Sequence, residues 1–416
     1  MADRPTAMPA SDSVNDTRSA RPPLRAAPTE LPAPSPEALA HGMAVREYLR
    51  TLIEAAPADA AHQNRRTISF ADFMRGALYA PGLGYYAAGA TKLGRDGDFV
   101  TAPELSSFFG ATLSQVFRSQ ARAGILELGA GSGKLAVDVL DACAEPPMYS
   151  ILEVSADLRQ RQQEKLSGRV VSWRDTLPAR IDGIVLANEV LDAIPCEIVR
   201  FSKGEYEQAY VACEATDAAD AAISPFEWCW KPLVHGALFE AAVARIPTIE
   251  GYTTEINLEA EALVSTLTER LGENGAMCFI DYGFPRRGYY VDDRVGGTLA
   301  CHYKHRVHFD PLILAGLQDI TAHVDFTAIA EAAVEAGAEV ICYATQAQFL
   351  LAAGILTLLE AHAFSGEAAR MSAVGAVQKL LSPSEMGELF KVLVVGKGDA
   401  AQVLAELARV DQSYRL

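Results

Sequence analysis

No uninterrupted run of 18 apolar residues occurs in this chain, so a membrane-crossing helix is not expected. Cysteine is sparse and scattered. The seven residues Cys143, Cys196, Cys213, Cys229, Cys278, Cys301 and Cys342 are odd in number and include no C-x-x-C pair. Such usage argues against a disulfide framework or a thiolate zinc site and fits a reducing compartment. Basic charge is also in short supply, with 36 Lys and Arg against 53 Asp and Glu and a net charge of −17. A field of that sign disfavours nucleic acid and anionic membrane surfaces as partners. It favours cationic ligands or basic protein segments. What the chain has in plenty is apolar material: half of its 416 residues are hydrophobic, enough for one large domain with insertions or for two domains.

Residues 1–35 are rich in Pro, Ala and Ser and read as a disordered tail. Arg18, Arg21 and Arg25 raise the question of a transit peptide, but Asp3, Asp12, Asp16 and Glu30 argue against one, because such peptides are poor in acids. A cytoplasmic location is the expectation.

The most informative stretch is Ile125 to Leu135, ILELGAGSGKL. It reads as a short buried strand, a glycine turn and a helix start. Glu127 stands two residues before the first glycine, and Gly129, Gly131 and Gly133 give G-x-G-x-G around Ala130 and Ser132. A dinucleotide loop presents N–H groups and a positive helix end to a pyrophosphate, which a neighbouring carboxylate would repel. S-adenosylmethionine carries an ammonium and a sulfonium and no phosphate, so an acid at the loop suits it. A dinucleotide site stays open, since alanine can stand for the third glycine. A plain strand-to-helix turn also stays open. A phosphate loop is disfavoured, because Leu135 replaces the hydroxyl that would hold magnesium and Leu128 replaces the first glycine. The next strand, Tyr149 onward, ends in Glu153, placed to accept hydrogen bonds from a ribose diol. An acid at a helix start is the plainer reading of that residue.

The coarse pattern assigns 36–122 to a helical N-terminal extension and cofactor-covering segment, with a capping box at Thr101-Ala-Pro103-Glu104 opening a helix over 105–121. Residues 123–203 form the first half of a Rossmann-like unit, with strands at 125–128, 149–154, 169–173, 183–187 and 197–202. An insertion and helix follow over 204–270, including a strand at 207–213, an irregular region about Trp228 and Trp230, and a helix over 254–271. The second half comprises 271–283 and 336–400, with strands at 276–281, 338–343 and 390–395. Residues 284–335 are an acceptor-side insertion, and 401–416 a C-terminal tail or helix. The fold class expected is α/β, a seven-stranded, mostly parallel sheet with the last two strands antiparallel.

Ligands in such sheets sit outside the carboxyl ends of the central strands. Asn188, Glu189 and Asp192, in NEVLDAIP, therefore lie beside the glycine loop, where two carboxylates and an amide make a plausible clamp for a cationic acceptor. A capped turn is the plainer reading. Asp281-Tyr282-Gly283 ends another strand in the same way. His302, His305 and His308 are too widely spread on a helix for ideal metal ligation, and no adjacent acid offers a hydrolytic base. No metal is expected. A basic segment with Lys304 and Arg306 that docks a carboxylate is the better reading. His323 is a proton acceptor or, more simply, a structural histidine.

Together, Gly84-Tyr85-Tyr86, GDFVTAPELSSFFG (97–110), ELGAGSGKL (127–135), NEVLDAIP (188–195), IDYGF (280–284), HYKHR (302–306) and DITAHVDF (319–326) resemble the MidA-type class I methyltransferases over residues 66–396. That family includes a mitochondrial complex I assembly factor that methylates an arginine of a complex I subunit. The resemblance implies S-adenosylmethionine as cofactor and arginine of a respiratory-complex protein as acceptor. It implies cofactor contacts at Glu127, Gly129, Ala130, Gly131, Gly133, Glu153, Val154 and Asn188, with Thr101 and Pro103 from a covering segment. Glu189, Asn188 and Asp192 would face the acceptor. A non-catalytic cofactor-binding assembly factor and a small-molecule methyltransferase are the alternatives, and no oligomeric state follows.

Overall fold

The computed structural model describes residues 31–60, 64–88, 101–213 and 225–416. Most of the N-terminal tail and residues 97–100 of the covering segment lie outside these.

Seven strands form the central sheet: β1 (Ile125–Leu128), β2 (Tyr149–Leu152), β3 (Val171–Arg174), β4 (Ile184–Asn188), β5 (Ala276–Phe284), β6 (Glu339–Thr345) and β7 (Phe390–Gly396). Their spatial order is β6-β7-β5-β4-β1-β2-β3. Pairing is parallel from β3 through β5, and β7 runs antiparallel to both β5 and β6. The last two strands are thus antiparallel to each other, and β7 alone runs against the sheet. A short eighth segment, Val324–Asp325, pairs with the end of β5.

Strand periodicity makes the sheet two-faced. Ile184, Leu186, Cys278 and Ile280 face one core with Phe109, Leu135 and Val139, while Val185, Ala187, Met277 and Phe279 face the other with Val264, Leu267 and Phe326. Both faces are covered by helices, as parallel sheets require. Helix Ser107–Val116 approaches Lys134–Ala142 so closely that a Cβ on Gly110 would meet the Asp138 Cβ at 2.6 Å.

The expected strand at 197–202 exists but belongs elsewhere. Glu197–Ser202 pairs antiparallel with Glu205–Cys213 and Thr253–Ile256 in a separate sheet that also takes Phe226–Pro232 and Ile68–Ser69. Pro195 and a turn precede it, and the chain leaves the first sheet there. The Trp228 region is an ordinary strand, not irregular. Helices Pro36–Ala55 and Phe70–Tyr79 close over this second sheet through Val45, Leu49, Phe70 and Phe73, against Val211 and Phe226. The segment expected as a single N-terminal extension is therefore divided: 36–79 serves the second sheet, and 102–121 serves the first.

The helix expected over 105–121 is broken. Helices Ala102–Leu105 and Ser107–Val116 meet at Ser106, whose backbone is extended at φ −155°. The helix expected near 254–271 is Leu258–Arg270, preceded by the strand Thr253–Ile256 and capped by Asn257.

Candidate active site

The glycine loop joins β1 to the helix Lys134–Ala142, and all three alternate glycines adopt left-handed φ: 58° at Gly129, 53° at Gly131 and 77° at Gly133. Side chains resist that region, so the spacing is dictated by backbone geometry. The loop forms one wall of a cavity of about 270 Å³, at the carboxyl ends of β1, β2 and β4. Its lining includes Glu127, Gly129, Ala130, Gly131, Glu153, Val154, Thr101, Pro103, Asn188 and Glu189. Gly133 sits at the helix start outside that lining and sets the turn.

Glu127 is buried beneath the loop, where its Oε2 accepts from the Tyr149 hydroxyl at 2.8 Å. Burial pushes its carboxyl up to about 8, against the opposing pull of that hydrogen bond. A cation placed beside it would favour the ionised form and offset that burial. Glu153 is also raised, chiefly by burial, and accepts from Ser155 N and Gln162 Nε2, both at 2.9 Å. Val154 beside it is 76% exposed and offers an apolar edge to the cavity.

Gln162 was not singled out from the sequence, yet it ties the site together. Fully buried, it donates to Gly131 O and Glu153 Oε2 and accepts from Trp173 Nε1, each at 2.9 Å. One amide thus joins the glycine loop, the acid after β2 and the third strand. A glutamine on a helix carries no sequence signal of such a role.

Thr101 caps its helix without a side-chain bond, so the expected capping box does not form. Glu104 instead accepts from the Ser132 hydroxyl in the glycine loop, and Lys165 donates to the same Ser132 oxygen at 3.0 Å. The acid therefore fastens the covering segment to the loop rather than capping its own helix.

After β4 the chain turns sharply. Glu189 has φ 52°, a strained conformation for a side-chain-bearing residue and of the kind that gathers at functional sites. Asp281, at the end of neighbouring β5, stabilises the turn: its Oδ2 accepts from the N–H groups of Val190, Leu191 and Asp192 at 3.2, 2.9 and 3.3 Å. The sequence marked Asp281 only as a strand-end acid. Here it holds the loop that presents Glu189.

Asn188 donates to Glu189 Oε1 at 3.0 Å, leaving Asn188 Oδ1 buried without a protein partner. The Ala102 N–H bonds the Glu189 carboxylate, linking it to the covering segment. Burial raises Glu189 to about 8, and Asp192 and Asp319 nearby add to the rise.

Asp192 does not line the cavity with Glu189. Its side chain is buried behind the turn, where Oδ2 accepts from the Tyr282 hydroxyl at 2.5 Å. The one-turn helix that would have put both acids on one face is replaced by the Asp281-held turn. Burial raises Asp192 to about 6. Tyr79 and Tyr86 complete this end of the cavity, stacked with ring centroids 5.5 Å apart. Tyr79 donates to Ala193 O at 2.9 Å and Tyr86 to Asp319 Oδ1 at 2.8 Å.

The histidine series lies on a hairpin, not a helix. His302 pairs with Val307 and His308 with Cys301, so these two rings point to opposite faces, and His305 occupies the left-handed turn. Among the described residues no cluster of three His, Cys, Asp or Glu could hold a metal ion. Lys304 donates to Ala33 O at 3.0 Å. His323 rests edge-on against Tyr282 and Phe284, outside the cavity.

The cavity suits S-adenosylmethionine by its donor set: carboxylates beneath and beside a glycine cradle, an unpartnered amide oxygen, and an apolar edge. A family model for S-adenosyl-L-methionine-dependent methyltransferases matches residues 105–344. The "Protein arginine methyltransferase NDUFAF7, mitochondrial" of Danio rerio is 29% identical over 79% of this chain and 83% of its own length. The Drosophila melanogaster homolog of that name is 27% identical over 89% of each chain. A crystal structure from Burkholderia thailandensis, bound to S-adenosyl-homocysteine, is 41% identical and covers 93% of this chain and 100% of its own, with a TM-score of 0.82. The mitochondrial names of the curated relatives overturn the cytoplasmic expectation, which rested on the acid content of the first 35 residues alone. By the length of the family match and the likeness to the Burkholderia thailandensis structure, the chain belongs to the MidA-type family of class I methyltransferases and is an S-adenosylmethionine-dependent enzyme.

Proposed function

We propose that this enzyme N-methylates an arginine of a protein substrate, and that a complex I-type respiratory subunit is that substrate. One observation carries the reading. Glu189, raised by burial and by two further acids, Asp192 and Asp319, lines the same cavity as the glycine loop and the stacked Tyr79 and Tyr86. An acidic, aromatic-walled recess suits a planar cation. The relatives named as protein arginine methyltransferases support arginine in particular.

S-adenosylmethionine, when bound, supplies a methyl group whose bond to sulfur breaks with its electron pair left on sulfur. Glu127 would face the cofactor's ammonium, Glu153 its ribose hydroxyls, and Gly129, Ala130 and Gly131 would admit its backbone-close portion. Thr101 and Pro103 would cover it, and Asn188 Oδ1 would receive a donor from cofactor or acceptor. Glu189 would ionise as the guanidinium docks and hold it by paired hydrogen bonds. That orientation turns one nitrogen toward the methyl, and alignment of this kind can contribute about 7–11 kcal/mol. The nitrogen that gains carbon loses a proton, and Glu189, with its high affinity for one, would receive it. Asp192 and Asp281 act at one remove, through Tyr282 and through the turn.

The test is transfer of radiolabelled methyl from S-adenosylmethionine to partner proteins, with methyl sites mapped by mass spectrometry. Methylarginine lost in Gly131→Val and in Glu189→Gln supports the reading. Label found only on small molecules, or no transfer at all, overturns it.

A further inference from the structure

A second cavity, of about 520 Å³, opens at the far half of the sheet. It lies among the ends of β5 and β6, the start of β7 and the segment 412–415, and shares no lining residue with the first. Three cations line it: the buried Lys391 and the solvent-exposed Arg287 and Arg415. Glu388 is the one acid in its lining. Among the described residues none of the three cations makes an ion pair. Lys391 Nζ donates to the carbonyl oxygens of Glu388 and Leu389, and Arg415 donates to Gln412 Oε1 at 2.9 Å.

Such an arrangement is unusual in a chain carrying a net charge of −17. Buried charges are normally paired, and Lys391 is only 9% exposed. Burial has pushed its ammonium down to about 8, with Arg415 adding to the fall and Glu388 opposing it. A second, independent feature is Tyr343. It is 2% exposed, lines this cavity, and its hydroxyl has no hydrogen-bond partner. A buried donor left without an acceptor keeps the full penalty of its lost hydration. An anion would satisfy the phenol and the three cations together.

We propose that this cavity is an oxyanion-binding site, formed by Arg287, Lys391, Arg415 and the Tyr343 hydroxyl, that takes a phosphate or carboxylate group. Guanidinium forks match both groups in geometry. The cluster supplies the local positive field without which an acidic protein would repel either one. The site is separate from the methyl-transfer cavity, so its occupancy can be measured without turnover.

The experiment is calorimetric titration of the full chain at low ionic strength, with inorganic phosphate in one arm and citrate in the other. Saturable binding of either probe supports the site, and the arm that binds more tightly identifies the group. Arg287→Ala with Arg415→Ala should weaken binding at least 10-fold at an unchanged melting temperature, and Tyr343→Phe roughly 3-fold or more at a melting temperature no lower than the parent's. Lys391→Met tests the buried cation with its stem retained. The proposal falls if neither anion gives saturable heat at millimolar concentration, or if the variants bind as tightly as the parent.

Discussion

Replacing Glu189 by glutamine keeps the shape of the side chain and removes its charge. The effect can be worked from the site. At pH 7 a carboxyl with its pKa at about 8 is mostly protonated, and ionising it costs about 1.4 kcal/mol. Two charge-assisted hydrogen bonds to a guanidinium contribute roughly 1.5–3 kcal/mol each. The net advantage of glutamate over glutamine is then about 2–5 kcal/mol, or roughly 30- to 5,000-fold in kcat/KM. Folding should survive, since the substitution removes a buried ionisable group that disfavours its own charged form. The assay is methyl transfer to the mapped acceptor, beside calorimetric affinity for S-adenosylmethionine. We expect turnover to collapse while cofactor affinity stays within a few-fold. Unchanged turnover would refute the clamp. A collapse of cofactor affinity with normal turnover at saturation would reassign Glu189 to the cofactor.

The pH profile follows from the same group: kcat/KM for the protein acceptor should rise with pH as Glu189 ionises, pass half its maximum at about 8 and level off above that. A profile already flat below pH 6.5 would contradict this. Glu127 affects stability in the cofactor-free enzyme. Its folded pKa of about 8 lies above the 4.5 of an ordinary glutamate, so the folded state holds the proton longer. The contribution is complete below about 4.5 and is lost as pH rises through 8. The melting temperature of Glu127→Gln should therefore depend less on pH across that window, and a parallel dependence in both proteins would sink the assignment. Gln162→Leu removes the amide that joins Gly131, Glu153 and Trp173. It should weaken S-adenosylmethionine binding by roughly 10- to 100-fold, about one to two ordinary hydrogen bonds. Calorimetry giving an unchanged Kd would reduce Gln162 to a filler of the core.

The sequence by itself determined the parts of this protein whose cause is local. Alternate glycines can follow an apolar strand at such spacing only where the backbone turns left-handed, so the loop at Gly129, Gly131 and Gly133 was legible. Largely apolar runs bounded by turns located β1, β4, β5 and β7 within a few residues. Glu153, ending the next strand, was placed by spacing alone. What tertiary structure decided are the relations among residues far apart in the chain. Glu197–Ser202 reads like another strand of the same sheet, and only its partners, Glu205–Cys213 and Thr253–Ile256, set it in a second one. Glu104 satisfies a capping pattern locally, yet a serine 28 positions away offers it a better-placed donor. Glu189 and Asp192 look equivalent at helical spacing. Asp281, from a strand about ninety residues later, bonds three successive N–H groups and turns one acid into the cavity and the other behind it. Periodicity records which way a side chain faces its own element. Which acid meets the ligand depends on hydrogen bonds that close only when distant strands lie side by side.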